Sequence, residues 1–300
     1  MSRRAKILVG VGLYILLLVV VGAITGNAGK NEEFEPVEEF RLTPWIELKI
    51  GPLDMSINKA VFYLFLASAL TAGTMVYVAN RMQAKPNRIQ TAVEAAYDLT
   101  YNTITRGNME PEMAARWFPF VATLFFFIWF SNIIGYFPLP VNTAEKVSVF
   151  GLHLPAFSLY AATANLSVPL VLTLMVWVTY QVEGIRAKGF LGYFRGWIPS
   201  GTPSKMRPVI FVIEVISQFV RIISLSVRLF ANILAGHLLL LFMAGGLAVL
   251  LGLAALGFLT LPLAIVFFIF EVGLVATLQA FIFATLTSIY FGEATAAHGH

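Results

Sequence analysis

One arginine, one asparagine and one histidine stand inside a hydrophobic run far longer than a single membrane crossing, in the stretch SLSVRLFANILAGH from Ser224 to His237. Placing a guanidinium at bilayer depth costs from about 2.5 kcal/mol on insertion scales to well over ~10 kcal/mol in simulations, so Arg228 reads as a functional group by default. At roughly 100° per residue, Ser217, Arg221, Ser224, Arg228, Ala231 and Ala235 fall on one stripe. Apart from its two arginines that stripe is small, and small side chains let another helix approach closely. No acid lies three or four residues from Arg228, so a carboxylate that meets it comes from elsewhere in the fold or from another chain. The structural alternative is an arginine bonded to a backbone carbonyl or snorkelling to water.

His237 lies nine residues further on, about 180° round the helix, and so points to the packing side, towards the second helix of a hairpin. There it serves either as a buried structural donor or as a proton relay. Glu271 and Gln279 stand in the last apolar segment and Asn165 in the fourth span, with no charge partners in their own helices. Intramembrane Glu, His, Asn and Gln chained by water are what a proton or ion path requires. Glu214 precedes Arg228 by fourteen residues, about 21 Å along the axis and within about 40° of the same face. It suits a separate aqueous access from the inner side, or it pairs with Arg207, Arg221 or lipid head groups. A fixed cation between two polar sets would block a direct proton leak. It would also keep ionised any carboxylate brought past it.

The elements that must position these groups are membrane helices. Of 300 residues, 58% are hydrophobic and 12% charged, and the mean hydropathy is +0.80; soluble chains carry about 25% charge. The absence of cysteine excludes disulfides and thiolate metal sites. The four histidines have no zinc-like spacing, and no GxxxxGK[ST] loop is present, so neither a metal nor a nucleotide site is expected in this chain. The net charge of +4 sits in particular loops and reads as topology rather than as nucleic-acid binding.

The basic start Ser2-Arg3-Arg4-Ala5-Lys6 and the apolar run after it, residues 1–26, read as a signal anchor or an extra membrane helix, with an acidic outer segment at 27–58. Spans are expected at Lys59 to Asn80, Trp117 to Pro138 and Thr163 to Gln181, with an amphipathic surface helix over 87–108. Basic loops at 81–116 and 184–207 alternate with poorer ones at 27–58 and 139–162, which places the basic loops inside. From Pro208 to Leu251 the only break is Gly245-Gly246, and a second run follows from Ala254 to Tyr290. Helices that long cross the bilayer only when steeply tilted, so 208–291 reads as a tilted hairpin closing a membrane domain at 59–291, before a polar tail at 292–300. The expected fold is all-α and polytopic, with about five to six membrane helices.

The arginine stretch closely resembles the arginine motif of the a subunit of F-type ATP synthases, the stator partner of the rotating c-ring. FPFVATLFFFIWFSNIIGYFP (118–138), ATANLSVPL (162–170), FVIEVIS (211–217) and TLQAFIFATLTSIY (277–290) are similar too, and the likeness covers roughly residues 40 to 291. It implies a stator subunit of the membrane Fo sector in a bacterial plasma (inner) membrane, working with c subunits and peripheral-stalk b subunits. Arg228 would face the ring carboxylate, Asn165, Asn232, His237, Glu271 and Gln279 would line an outer half-channel, and Glu214 and Ser217 an inner one.

Three details depart from the pattern. Glu271 and Gln279 are eight residues apart where members usually show seven, which in an α-helix turns Glu271 by about 100°. Asn165 stands where some members have Asp, and the basic N-terminal apolar segment is an addition. A stand-alone ion-coupled transporter is the other reading, but such folds show internal repeats and none is visible here. Purification alone or with a c-ring separates the two.

Overall fold

In a computed structural model of the chain, the described residues are 40–296 except 52, 82, 84, 150–151, 200 and 244–253, together with Gly12, Leu13, Leu16 and Val20. Most of the N-terminal apolar run, the part of the acidic stretch before residue 40, Gly245-Gly246, His298 and His300 fall outside them.

Helix α1, Lys59–Asn80, starts where the Asn58 side chain accepts the Val61 N–H at 3.2 Å. α2, Arg88–Asp98, is capped the same way by Asn87 and runs on into a π-helical turn, Leu99–Thr105. α3, Pro111–Gly135, opens on a proline whose missing N–H costs nothing in a first turn. α4, Ser167–Lys188, ends at Gly189, whose φ of 73° breaks the helix before the short α5, Phe190–Arg195. α6, Arg207–Leu241, has 35 residues and is therefore about 52 Å long. α7, Ala254–Phe270, a π-helical turn at Glu271–Val275 and α8, Ala276–Thr295, follow without interruption. Among the described residues five helical stretches are long and apolar enough to cross a membrane: Lys59–Asn80, Pro111–Gly135, Ser167–Lys188, Arg207–Leu241 and Thr260–Thr295, the last running from α7 through the π turn to the end of α8. The chain is an all-α, multi-pass membrane protein, as its composition requires.

One expectation changes. The stretch between α3 and α4 is an antiparallel β-hairpin, β3 (Leu139–Val149) with β4 (Leu152–Ser158), after a smaller pair β1 (Lys49–Ile50) and β2 (Leu53–Asp54). Irregular backbone on that side needs hydrogen bonds as much as a helix does, and strand pairing supplies them. The two C-terminal arms each pack mainly on other helices of the bundle. α8 packs chiefly on α3 and α4, α6 chiefly on α4, and the two arms meet only sparsely. Phe283, Ala284 and Phe291 of α8, Val121 and Ile128 of α3, Val176 of α4 and Leu225, Leu229 and Ile233 of α6 form the common core.

Candidate functional site

α6 presents two faces. Ile222, Leu225, Leu229, Ile233, Gly236, His237 and Leu240 recur at helical spacing and are buried against the bundle. Ser224, Val227, Arg228, Ala231, Asn232 and Ala235 are exposed. Arg228 donates to Ser224 Oγ at 3.3 Å, and no carboxylate among the described residues lies within ion-pair distance of it. The small-residue stripe is thus real, but it starts later than its spacing predicts. Ser217 and Arg221 are half-buried, and Glu293 at the end of α8 bonds Arg221 there.

On the side where α3 ends, four elements bring polar groups together. His237 Nδ1 faces the Ile233 carbonyl at 2.9 Å and Nε2 faces the Gly135 carbonyl at 3.0 Å. Both partners are acceptors only. An imidazolium donates to both, whereas a neutral imidazole donates to one and turns the lone pair of its other nitrogen towards the second carbonyl. The ring stacks on Tyr136 at 4.6 Å, and the Tyr136 hydroxyl donates to Glu271 Oε2 at 3.0 Å. The Glu271 carboxylate in turn lies against Gly236, where a β-carbon would leave it no room. Asn132 of α3 accepts from Thr163 Oγ1 at 2.8 Å and reaches the Ala276 carbonyl at 3.4 Å. The packing-side placement of His237 therefore holds, but its direct partners are Gly135 and Tyr136 rather than the second hairpin helix. Buried helix ends expose carbonyls that spacing cannot reveal.

The eight-residue interval is resolved by the π turn. The Ala276 N–H bonds to the Glu271 carbonyl, an i to i+5 bond that takes up one extra residue within the helix. Glu271 and Gln279 are both buried as a result, and the rotation expected of a plain α-helix is cancelled. Asn165 acts locally. Its Oδ1 accepts the Ser167 N–H at 3.0 Å at the start of α4, and Thr163 makes the bond into the buried cluster.

At the other end of α6 a cavity of about 210 Å³ is lined by Glu214, Gln218 and Arg221 with Tyr180, Tyr290 and Glu293. Tyr180 donates to Gln218 Oε1 at 2.7 Å, and Gln218 donates to Glu214 Oε1 at 3.0 Å. Arg221 stands 3.9 Å from Glu214, bonds Glu293 at 2.7 Å and lies 4.9 Å over the Tyr290 ring. Glu214 thus does pair with Arg221, one of its two anticipated roles, while still facing open space. Ser217 lies outside the cavity lining. Sequence reasoning misses Tyr136, Asn132, Gln218 and Glu293. Asn132 in an apolar run and Gln218 one turn after Glu214 are the available signals; Tyr136 looks like an ordinary interfacial aromatic.

Arg228 lies between the two clusters, about 21 Å from Glu214 and about 13 Å from His237 along the axis. The arrangement can hold protons at both ends of one helix and place a fixed positive charge between them on an open face.

Residues 61–292 match the protein family described as ATP synthase A chain. The chain is 35% identical over 269 residues to ATP synthase subunit a of Rubrobacter xylanophilus, covering 89% of this chain and 95% of that protein. It is 32% identical over 272 residues to the subunit a of Hyphomonas neptunium, covering 89% and 98%. With that of Rhizobium rhizogenes it shares 32% over 268 residues, covering 88% and 98%.

Proposed function

The chain belongs to the ATP synthase A chain family, and from that premise we propose that it is the proton-conducting stator subunit of the membrane Fo sector. Protons reach a c-ring carboxylate through one half-channel and leave through a second, offset one. The cluster of His237, Glu271, Tyr136 and Asn132, with Asn165, Asn232 and Gln279, is the outer route. Glu214, with Ser217 nearby and the cavity around Arg221, is the inner one. The subunit binds no nucleotide itself, and it works beside c subunits and peripheral-stalk b subunits in a bacterial inner membrane.

One observation carries this reading: Arg228 is exposed on a face of small residues, with no described carboxylate beside it and a polar cluster towards each end of its helix. A buried or internally paired arginine would be structural. An open one at this depth needs a partner, and a ring carboxylate of another chain supplies the charge. Beside the guanidinium that carboxylate is held ionised, so it gives up its proton to one route before accepting the next from the other. The same charge repels a proton that would pass straight between the routes.

The test is ATP-driven proton pumping by the reconstituted complex carrying Arg228→Ala. Assembly is expected to persist and pumping to vanish. Retained coupled pumping would overturn the assignment. Cysteines placed beside Arg228 should also crosslink to the carboxylate helix of the c subunit.

A further inference from the structure

Beside the polar cavity lies a second opening of different chemistry. It is a slot of about 340 Å³ between α4, α5 and α6, lined by Trp177, Gln181, Phe194, Trp197, Phe211 and Val215. Stacked or edge-on rings form much of its wall, with Trp197 5.8 Å from Phe211 and 4.9 Å from Phe194. The amides at its floor are already committed. Gln181 accepts from the Tyr193 hydroxyl and donates to Gln218 at 3.3 Å, so little hydrogen bonding is left for water in the slot.

The surroundings say what fills it. Val178 and Val182 on α4 and Val212 and Ile216 on α6 are exposed apolar residues flanking the slot, as expected of surfaces that face lipid. On α5, Phe190 is 64% and Leu191 82% exposed, which suits a short helix lying in the boundary between head groups and acyl chains. Three exposed cations stand close in sequence to residues that line the slot. Arg195 directly follows Phe194, Arg207 stands one helical turn before Phe211, and Lys205 lies beside Arg207 in sequence. Among the described residues none of the three has a carboxylate within ion-pair distance, and Arg207 bonds only the Thr202 carbonyl, at 3.2 Å; of the nearby acids, Glu183 is held by Arg116 at 2.8 Å and by Arg186 at 3.7 Å, and Glu214 stands 3.9 Å from Arg221.

We propose that the slot binds an anionic phospholipid, its acyl chain between the aromatic walls and its phosphate against Arg195, Lys205 and Arg207. Basic pockets between membrane helices on the cytoplasmic side are suited to acidic head groups. The volume suits an apolar chain, whereas a helix about 10–12 Å across does not fit. Trp197 and Gln218 line both the slot and the polar cavity, so the lipid forms the outer side of the wall that keeps the cavity from the bilayer. The lipid site stands on its own chemistry and does not depend on the proton route.

The experiment uses the assembled complex in nanodiscs containing, at equal mole fraction, phosphatidylglycerol or phosphatidylcholine with a photoreactive diazirine in the acyl chain. Crosslinks are mapped by mass spectrometry. The glycerol lipid is expected to label peptides spanning 194–197 and 211–219 several-fold more than the choline lipid, while labelling of the exposed face of α1 is equal. In the Arg195→Gln, Arg207→Gln double variant the excess should disappear. Equal labelling of the slot by both lipids in the unmodified complex, or labelling confined to the outer faces of the helices, overturns the proposal without recourse to any variant.

Discussion

The Glu271 carboxylate occupies the space over Gly236 that a β-carbon would fill, so the acid of one hairpin arm is seated on the backbone of the other beside His237. That contact explains why the small residue precedes the histidine. Gly236→Ala should therefore displace the carboxylate from Tyr136 without unfolding the bundle. Overpacking of this kind costs about 1–3 kcal/mol, which expressed in a barrier is about tenfold or more in rate. Passive proton conduction by the reconstituted complex is expected to fall by about that factor while the subunit still co-purifies. Undiminished conduction would remove Glu271 from the outer route.

Glu271→Gln separates charge from shape. Its amide oxygen can still accept from Tyr136, but the group no longer takes up a proton. Proton uptake from the outer side should slow by about tenfold or more, with a changed pH profile. Tyr136→Phe keeps the ring on His237 and loses only the hydroxyl, so a few-fold effect is expected. Equal flux and an unaltered pH profile in Glu271→Gln would make the residue structural.

Much of this was legible in the sequence because it depends on periodicity. Arg228 and His237 on opposite faces, the membrane helices and the amphipathic α2 all follow from spacing and apolar runs. What spacing could not give was backbone detail. The β3–β4 hairpin is read poorly from a stretch with few alternating residues, and its register shifts show why. The Gly135 carbonyl as partner of His237 depends on where α3 stops, and helix ends are set by capping and packing rather than composition. Glu293 lies far along the chain from Arg221, and only the fold brings the end of α8 to α6.

That contact is testable by its energetics. The Arg221–Glu293 pair is partly exposed, with 25% and 53% of the side chains accessible, so Glu293→Gln should cost less than about 1 kcal/mol in thermal unfolding of the purified subunit. Arg221→Ala should cost more, about 1–3 kcal/mol, because it also leaves Glu214 without its cation and strips the Tyr290 face. A double-mutant cycle should give a coupling of about 0.5–1 kcal/mol between Arg221 and Glu293. Additive losses would mean the ion pair does not hold α8 to α6.

The π turn at Glu271–Val275 makes the sharpest prediction, because it treats one residue as surplus. Gly273 is exposed, and a β-carbon there would meet nothing within 4 Å. Its deletion brings Glu271 and Gln279 to seven residues apart and lets the turn relax to an α-helix, with both side chains still on the buried face. Conduction and assembly are expected to survive. Moving the surplus elsewhere, by pairing the deletion with an alanine inserted after Gln279, should restore the length but rotate Phe283, Thr287 and Phe291 by about 100° out of the core. That variant should fail to assemble. If instead the deletion alone abolishes conduction while the subunit assembles, the π turn itself, and not the register it restores, is what the proton route requires.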